Sequence, residues 1–203
     1  MASPLRLAVV LSVSVAAVAP AVAWQRFSKQ DADHFESKLS RIVAYGNQRG
    51  ARASTTQSTP ITDAEINAYF EQGAKGQIPT GIVNPELSAL GDGRVSGTAV
   101  VDLDAVRTQK KRGWLDPAAY LTGSLPVSAT GLLITKDGVG RFQLESAQVS
   151  GVSIPKSFLQ ELLSYYSRTA QNPAGINMDD PFELPSRIRE IQVQRGQATI
   201  LQQ

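Results

Sequence analysis

Apolar residues recur at helical spacing in three stretches of this chain. Across residues 31–47, Phe35, Leu39, Ile42 and Val43 fall on one face and charged residues fill the other. Gly46 and Gly50 favour the end of that helix. A second helix begins at Thr62, where Thr62 and Glu65 have the spacing of a capping box. Ile66, Tyr69 and Phe70 give its buried stripe, and Gly73 and Gly76 stop it. A third follows Pro155 over 156–168 and carries Phe158, Leu159, Leu162, Leu163 and Tyr166 on one broad face. Between the first two, residues 48–60 lack apolar periodicity and read as a flexible linker.

After the second helix the period changes to two. Over residues 94–104, Val95, Gly97, Ala99, Val101 and Leu103 share one face. Arg94, Ser96, Thr98, Asp102 and Asp104 share the other, with Val100 the one apolar exception. Gly91-Asp92-Gly93 is a hairpin turn that pairs this strand with 85–90. A second hairpin runs from about 124 to 149 and turns at Asp137-Gly138. Its first arm carries Leu125, Val127, Ala129, Gly131 and Leu133, and its second carries Phe142 and Leu144. Two last strands, 188–194 and 197–202, turn at Arg195-Gly196. Consecutive hairpins imply an antiparallel sheet whose face the helices must cover. The expected class is α+β: a long curved antiparallel sheet wrapped around the helix at 156–168, with an extra helix near the N-terminus. Gly97, Gly131 and Gly140 inside the strands permit either a bend or the close approach of another group.

Residues 1–23 have the pattern of an export signal. Arg6 gives the positive start, Leu7 to Ala19 is broken only by Ser12 and Ser14, and Ala21-Val22-Ala23 fits a small-x-small cleavage site. The competing reading is an uncleaved anchor, since Leu7 to Ala23 is near the lower limit of about 17 residues for a span; Pro20 and the alanine-valine composition favour cleavage. Either way the expected location is periplasmic or extracellular. The expected organisation is a signal peptide (1–23), a helix with linker (24–60) and an α+β domain (61–203).

Composition narrows the chemistry. The 203 residues are 42% hydrophobic and 19% charged, which suits a globular core. Lys plus Arg is 20 and Asp plus Glu is 18, a net charge of only +2, so nucleic-acid binding loses ground. There is no cysteine, which excludes disulfides, thiolate metal sites and cysteine nucleophiles. A single histidine, His34, leaves little material for a triad or a multi-histidine metal site. Ser96, Ser124 and Ser128 sit in no Gly-x-Ser-x-Gly elbow. Asp102 and Asp104 would share a strand face but lack the further ligands of a calcium loop, and read as a solvent-facing strand edge. No cofactor and no enzymatic activity are expected.

The most suggestive local feature is Arg107-Thr108-Gln109-Lys110-Lys111-Arg112-Gly113-Trp114-Leu115. Trp favours membrane interfaces, and basic residues attract anionic headgroups at about 1 kcal/mol each. Lys110, Lys111, Arg112, Trp114 and Leu115 are therefore candidate membrane or headgroup contacts. The plainer alternative is a solvated basic loop with Trp114 tucked over the core.

Several phrases together carry a resemblance. They are Ile61-Thr62-Asp63-Ala64-Glu65-Ile66-Asn67-Ala68-Tyr69-Phe70, the strand ending Val100-Val101-Asp102-Leu103-Asp104, and Leu121-Thr122-Gly123-Ser124-Leu125. Then come Val149-Ser150-Gly151-Val152-Ser153-Ile154-Pro155 before the apolar helix, Leu184-Pro185-Ser186-Arg187-Ile188, and Gly196-Gln197-Ala198-Thr199-Ile200. Over residues 60–202 the chain resembles exported LmeA-like phospholipid-binding proteins and their TULIP-like relatives. That resemblance implies a half-tubular fold, a curved sheet and a helix enclosing an apolar groove for acyl chains. It supplies no catalytic motif and does not explain the first helix.

Strand dimensions allow such a groove. Val95 to Leu103 spans roughly 26 Å, against about 15 Å for the hydrocarbon of one leaflet. An acyl chain of about 16 carbons costs on the order of 12 kcal/mol in water, so a carrier must supply a dry lining. Alternation selects Val95, Ala99, Val101, Leu103, Leu125, Val127, Leu133, Phe142, Leu144, Phe158, Leu162 and Tyr166 as candidate groove residues. Periodicity by itself favours a filled core; the resemblance favours the groove. The expected function is an exported, non-enzymatic protein that binds or shuttles phospholipid or another acyl-chain lipid, with peripheral contact to anionic membrane. The alternatives are an envelope interaction protein with a filled core, or an envelope hydrolase.

Overall fold

The computed structural model describes residues 27–48, 56–72, 74, 76–108 and 123–203. The leader pattern of 1–23 and the linker residues 49–55 lie outside the described residues. Helix α1 (Lys29–Gly46) starts where Ser28 Oγ accepts the Asp31 backbone N–H at 3.1 Å. It ends at Gly46, whose Cα packs directly on the Ser186 backbone, leaving no room for a side chain. Helix α2 (Asp63–Gln72) begins with the expected capping box. Glu65 N–H donates to Thr62 Oγ1 at 3.2 Å, and Thr62 N–H donates to Glu65 Oε2 at 2.9 Å.

Between these helices lies β1 (Gln57–Thr62), in place of the expected linker over its last residues. It pairs antiparallel with β9 (Gln197–Gln202), and β9 pairs with β8 (Ile188–Gln194). β1 is an edge strand, where a proline such as Pro60 is tolerated, and Thr59 and Ile61 are buried. This three-stranded sheet and α1 enclose a core cluster of Ile42, Ile61 and Ile188, bordered by Phe35, Ile66, Leu184, Ile191 and Ile200. Gln202, fully buried, ties it together by donating from Nε2 to Ile42 O (2.9 Å) and Ser186 O (2.6 Å).

The remaining long strands form a separate, open sheet. Its order is β2 (Ile82–Gly91), β3 (Arg94–Asp102), β4 (Ser124–Lys136), β5 (Val139–Val149) and β6 (Val152–Ser153), with β7 (Phe182–Glu183) also on β5. One continuous sheet over all the hairpins is thus corrected to two. The division follows from β9 having β1 as its second neighbour, so β8 and β9 close onto the N-terminal strand. Three two-residue turns connect the large sheet, each with φ positive at both positions: Asp92-Gly93, Asp137-Gly138 and Ser150-Gly151. The first two turns meet the small sheet. Gly93 N–H donates to Val193 O (3.4 Å) and Gly138 N–H to Arg189 O (2.9 Å).

Strand β3 stops at Asp102, and Leu103–Thr108 forms a short helix, α3. Asp102 Oδ1 accepts the backbone N–H groups of Asp104 and Ala105, both at 3.0 Å, and so caps that helix. The expectation that Asp102 and Asp104 share a strand face is therefore corrected. Helix α4 (Lys156–Ser167) follows Pro155 and lies on the β5 side of the large sheet. Among the described residues no helix is long and apolar enough to cross a membrane.

Candidate functional site

The alternating strands place one row of small and aliphatic residues on the sheet face toward α4. Register fixes the row: Val101 lies opposite Leu125, Gly97 opposite Ala129, Ala129 opposite Ala147, and Val127 opposite Val149. Helix α4 brings Phe158, Leu159 and Leu162 over the same face, one helical turn apart. Between helix and strands lies a cavity of about 340 Å³, lined by Val101, Leu103, Leu125, Val127, Ser128, Ala129, Ala147, Gln148, Val149, Ile154, Phe158, Leu159 and Leu162. Its size falls in the range of ligand pockets, about 300–1,000 Å³. Among the described residues that line it none carries a charge, and the polar ones are Ser128 and Gln148.

Six of the residues selected from alternation therefore meet around one cavity: Val101, Leu103, Leu125, Val127, Phe158 and Leu162. Leu103 does so from α3 rather than from an extended strand. Val95, Leu133, Phe142 and Leu144 do not line it. They sit toward the Asp137-Gly138 turn, around a bulge in which Ser146 pairs with Thr130 and Leu144 with Gly131, leaving Glu145 unpaired. There the ring of Phe142 lies against Gly131, where any Cβ would collide with it. The protein's own ring thus takes the space that a glycine at this position opens. Ala99 is opposite Val127 in register but borders a different hollow, with Thr98 and Val100. The side chain of Tyr166 lies outside the described residues, as do Lys110, Lys111, Arg112, Trp114 and Leu115.

Alternation did not select Ala147, Val149, Ile154 and Leu159. The β5 bulge shifts the inward parity after Leu144, so a period of two counted from Phe142 points to the wrong face at 147 and 149. Leu159 was readable from the helical stripe of α4.

The helix itself is held from outside. Gln160 Nε2 donates to Ile176 O (3.0 Å), Met178 N–H donates to Gln160 Oε1 (2.8 Å), and Ile176 N–H donates to Ser167 Oγ (2.7 Å). Lys156 Nζ meets Asp179 Oδ1 at 2.5 Å, with both side chains exposed. So the polar face of α4 is satisfied by the segment that follows it, while its apolar face looks onto the cavity. None of its described side chains is buried. The described lining residues include no titratable side chain; what they offer is a largely apolar surface. Among the described residues no three of His, Cys, Asp and Glu come together as a cation cradle.

No family model matches this chain, and no curated protein matches it. Among solved structures it is similar to a crystal structure of lipopolysaccharide binding protein, at 15% identity and a TM-score of 0.22. That likeness covers 76% of this chain and 45% of the other, so this chain spans less than half the length of that protein.

Proposed function

We propose that this chain is an exported, non-enzymatic protein that shelters the acyl chain of a phospholipid or another lipid between α4 and the large sheet. One observation carries the reading: the cavity of about 340 Å³ whose described lining residues carry no charge, under a helix none of whose described side chains is buried. A twelve-residue helix bearing Phe158, Leu159, Leu162 and Leu163 ordinarily buries several of them. Leaving them half-exposed is unfavourable unless something apolar completes the contact, and each methylene that enters gains about 0.8 kcal/mol. The resemblance of the quoted phrases to LmeA-like proteins and the leader pattern at 1–23 are in keeping with this reading. In it, Lys110, Lys111 and Arg112 meet anionic headgroups while Trp114 and Leu115 sit at the interface.

Native mass spectrometry of the purified protein tests the proposal, with Ala129→Trp as the discriminating variant. The wild-type chain should carry co-purifying lipid, and the indole should displace it with little change in melting temperature. Consistent absence of lipid, with Ala129→Trp losing about 1–3 kcal/mol from overpacking, would show instead that the protein fills this space itself.

A further inference from the structure

We infer that the β5–β6 hairpin is where this protein touches a lipid surface, with Val152 entering the bilayer interface at the mouth of the cavity. The inference rests on the lipid-binding reading above and adds the place of contact. Val152 is 68% exposed, more than any other large apolar side chain among the described residues. It pairs directly with Val149, and directly opposed residues of an antiparallel pair point to the same face. Val149 lines the cavity, as does Ile154 two residues past Val152. The apolar lining therefore continues along this row from the interior into solvent.

The surroundings suit a bilayer rather than a protein partner. From Ser146 to Pro155 the chain carries no charge, with Glu145 and Lys156 at its two ends. The tip is narrow: Ser150-Gly151 turns with both φ values positive, and among the described residues nothing lies within 4 Å of where a side chain on Gly151 would begin. Ser150 N–H donates to Pro126 O at 2.7 Å and holds the tip to β4. The opposite end of the large sheet is not free, because the Gly93 and Gly138 turns are bonded to β8. Asp102 pairs with Ser124 at the same end as the Val127–Val149 pair, so among the described residues the cavity and the exposed valine share the end of the sheet that β8 does not bond.

The chain has no cysteine, so Val152→Cys creates a single thiol for an environment-sensitive fluorophore, and Val139→Cys, 43% exposed at the opposite end of the sheet, gives the control position. On vesicles of equal parts phosphatidylcholine and phosphatidylglycerol, the probe at 152 should shift to the blue and escape an aqueous quencher, while the probe at 139 should not. Val152→Ser should weaken vesicle sedimentation about tenfold, and Val139→Ser should leave it unchanged. An unresponsive probe at 152, or Val152→Ser binding like the wild type, overturns the inference. Native mass spectrometry with oleate separates the two claims. If the wild type takes up oleate while the probe at 152 stays silent, the docking site is wrong and the cavity reading stands. If it takes up none, the cavity reading fails, and this inference with it.

Discussion

At Glu65 a carboxylate that is only 8% exposed accepts from Lys38 Nζ at 2.6 Å and from the Thr62 N–H. Burial pushes this carboxyl up, but the Lys38 ammonium and the Thr62 donors outweigh it and hold the group below the ordinary glutamate value of 4.5. A folded-state value below the unfolded one adds stability that is fully present above 4.5 and is lost as pH falls through the folded value. Glu65→Gln should therefore cost about 1–3 kcal/mol in chemical denaturation at pH 7. The gap between variant and wild type should narrow steadily below about pH 4.5; a gap independent of pH would remove the carboxylate's charge from the account. The Thr62–Glu65 spacing was legible in the sequence because a capping box is local. Lys38 was not, because it lies 27 residues away and reaches Glu65 only when α1 packs on α2.

The same locality separates the elements that sequence pattern finds from those it misses. Hairpins at Asp92-Gly93 and Asp137-Gly138 are found because both turn residues need positive φ, which Asp-Gly supplies cheaply. Strand β1 is missed because Gln57-Ser58-Thr59-Pro60-Ile61-Thr62 offers one aliphatic residue and a proline, and its extended state depends on β9, some 140 positions away in sequence. Asp102 reads as a strand residue because its capping role exists only once α3 forms. Helix α2 also does something no periodicity announces: it seals the outer edge of β2. Asn67 Oδ1 accepts Leu87 N–H (2.8 Å), Asn67 Nδ2 donates to Leu87 O (2.9 Å), and the Asp63 carboxylate accepts Ala89 N–H (3.0 Å). These side chains stand where a further strand would otherwise pair. Replacing both, as Asp63→Ala with Asn67→Ala, should lower stability by about 2–4 kcal/mol and open the edge to intermolecular pairing. Light scattering on gentle heating should rise well before it does in the wild type; an unchanged aggregation onset would show that the edge is protected by something else.

Two bodies of different solidity make up the molecule. The buried apolar cluster of Ile42, Ile61 and Ile188 belongs to α1 and the small sheet, next to the sealed edge of β2. Helix α4 keeps its apolar face over a cavity and its polar face on residues 176–179, so its attachment to the sheet runs through half-buried side chains. Sequence alternation found the floor of that cavity because β3 and β4 keep their parity up to Ala129, and it lost the β5 side because one bulge at Glu145 reverses parity. Local opening free energy follows buried apolar contact, so backbone amides of residues 156–167 should exchange hydrogen faster than those of 63–72 and 197–202. A ligand that binds only the closed arrangement stabilises it by about 2.7 kcal/mol at a hundredfold excess over Kd. Adding oleate should therefore slow exchange across 156–167 by about a hundredfold, while 197–202 barely changes. Peptide-resolved exchange measured with and without oleate reads both quantities. A ligand effect centred on 197–202 would place the binding surface in the small sheet, and either that or uniform protection across the chain would leave α4 without the role its half-buried apolar face implies.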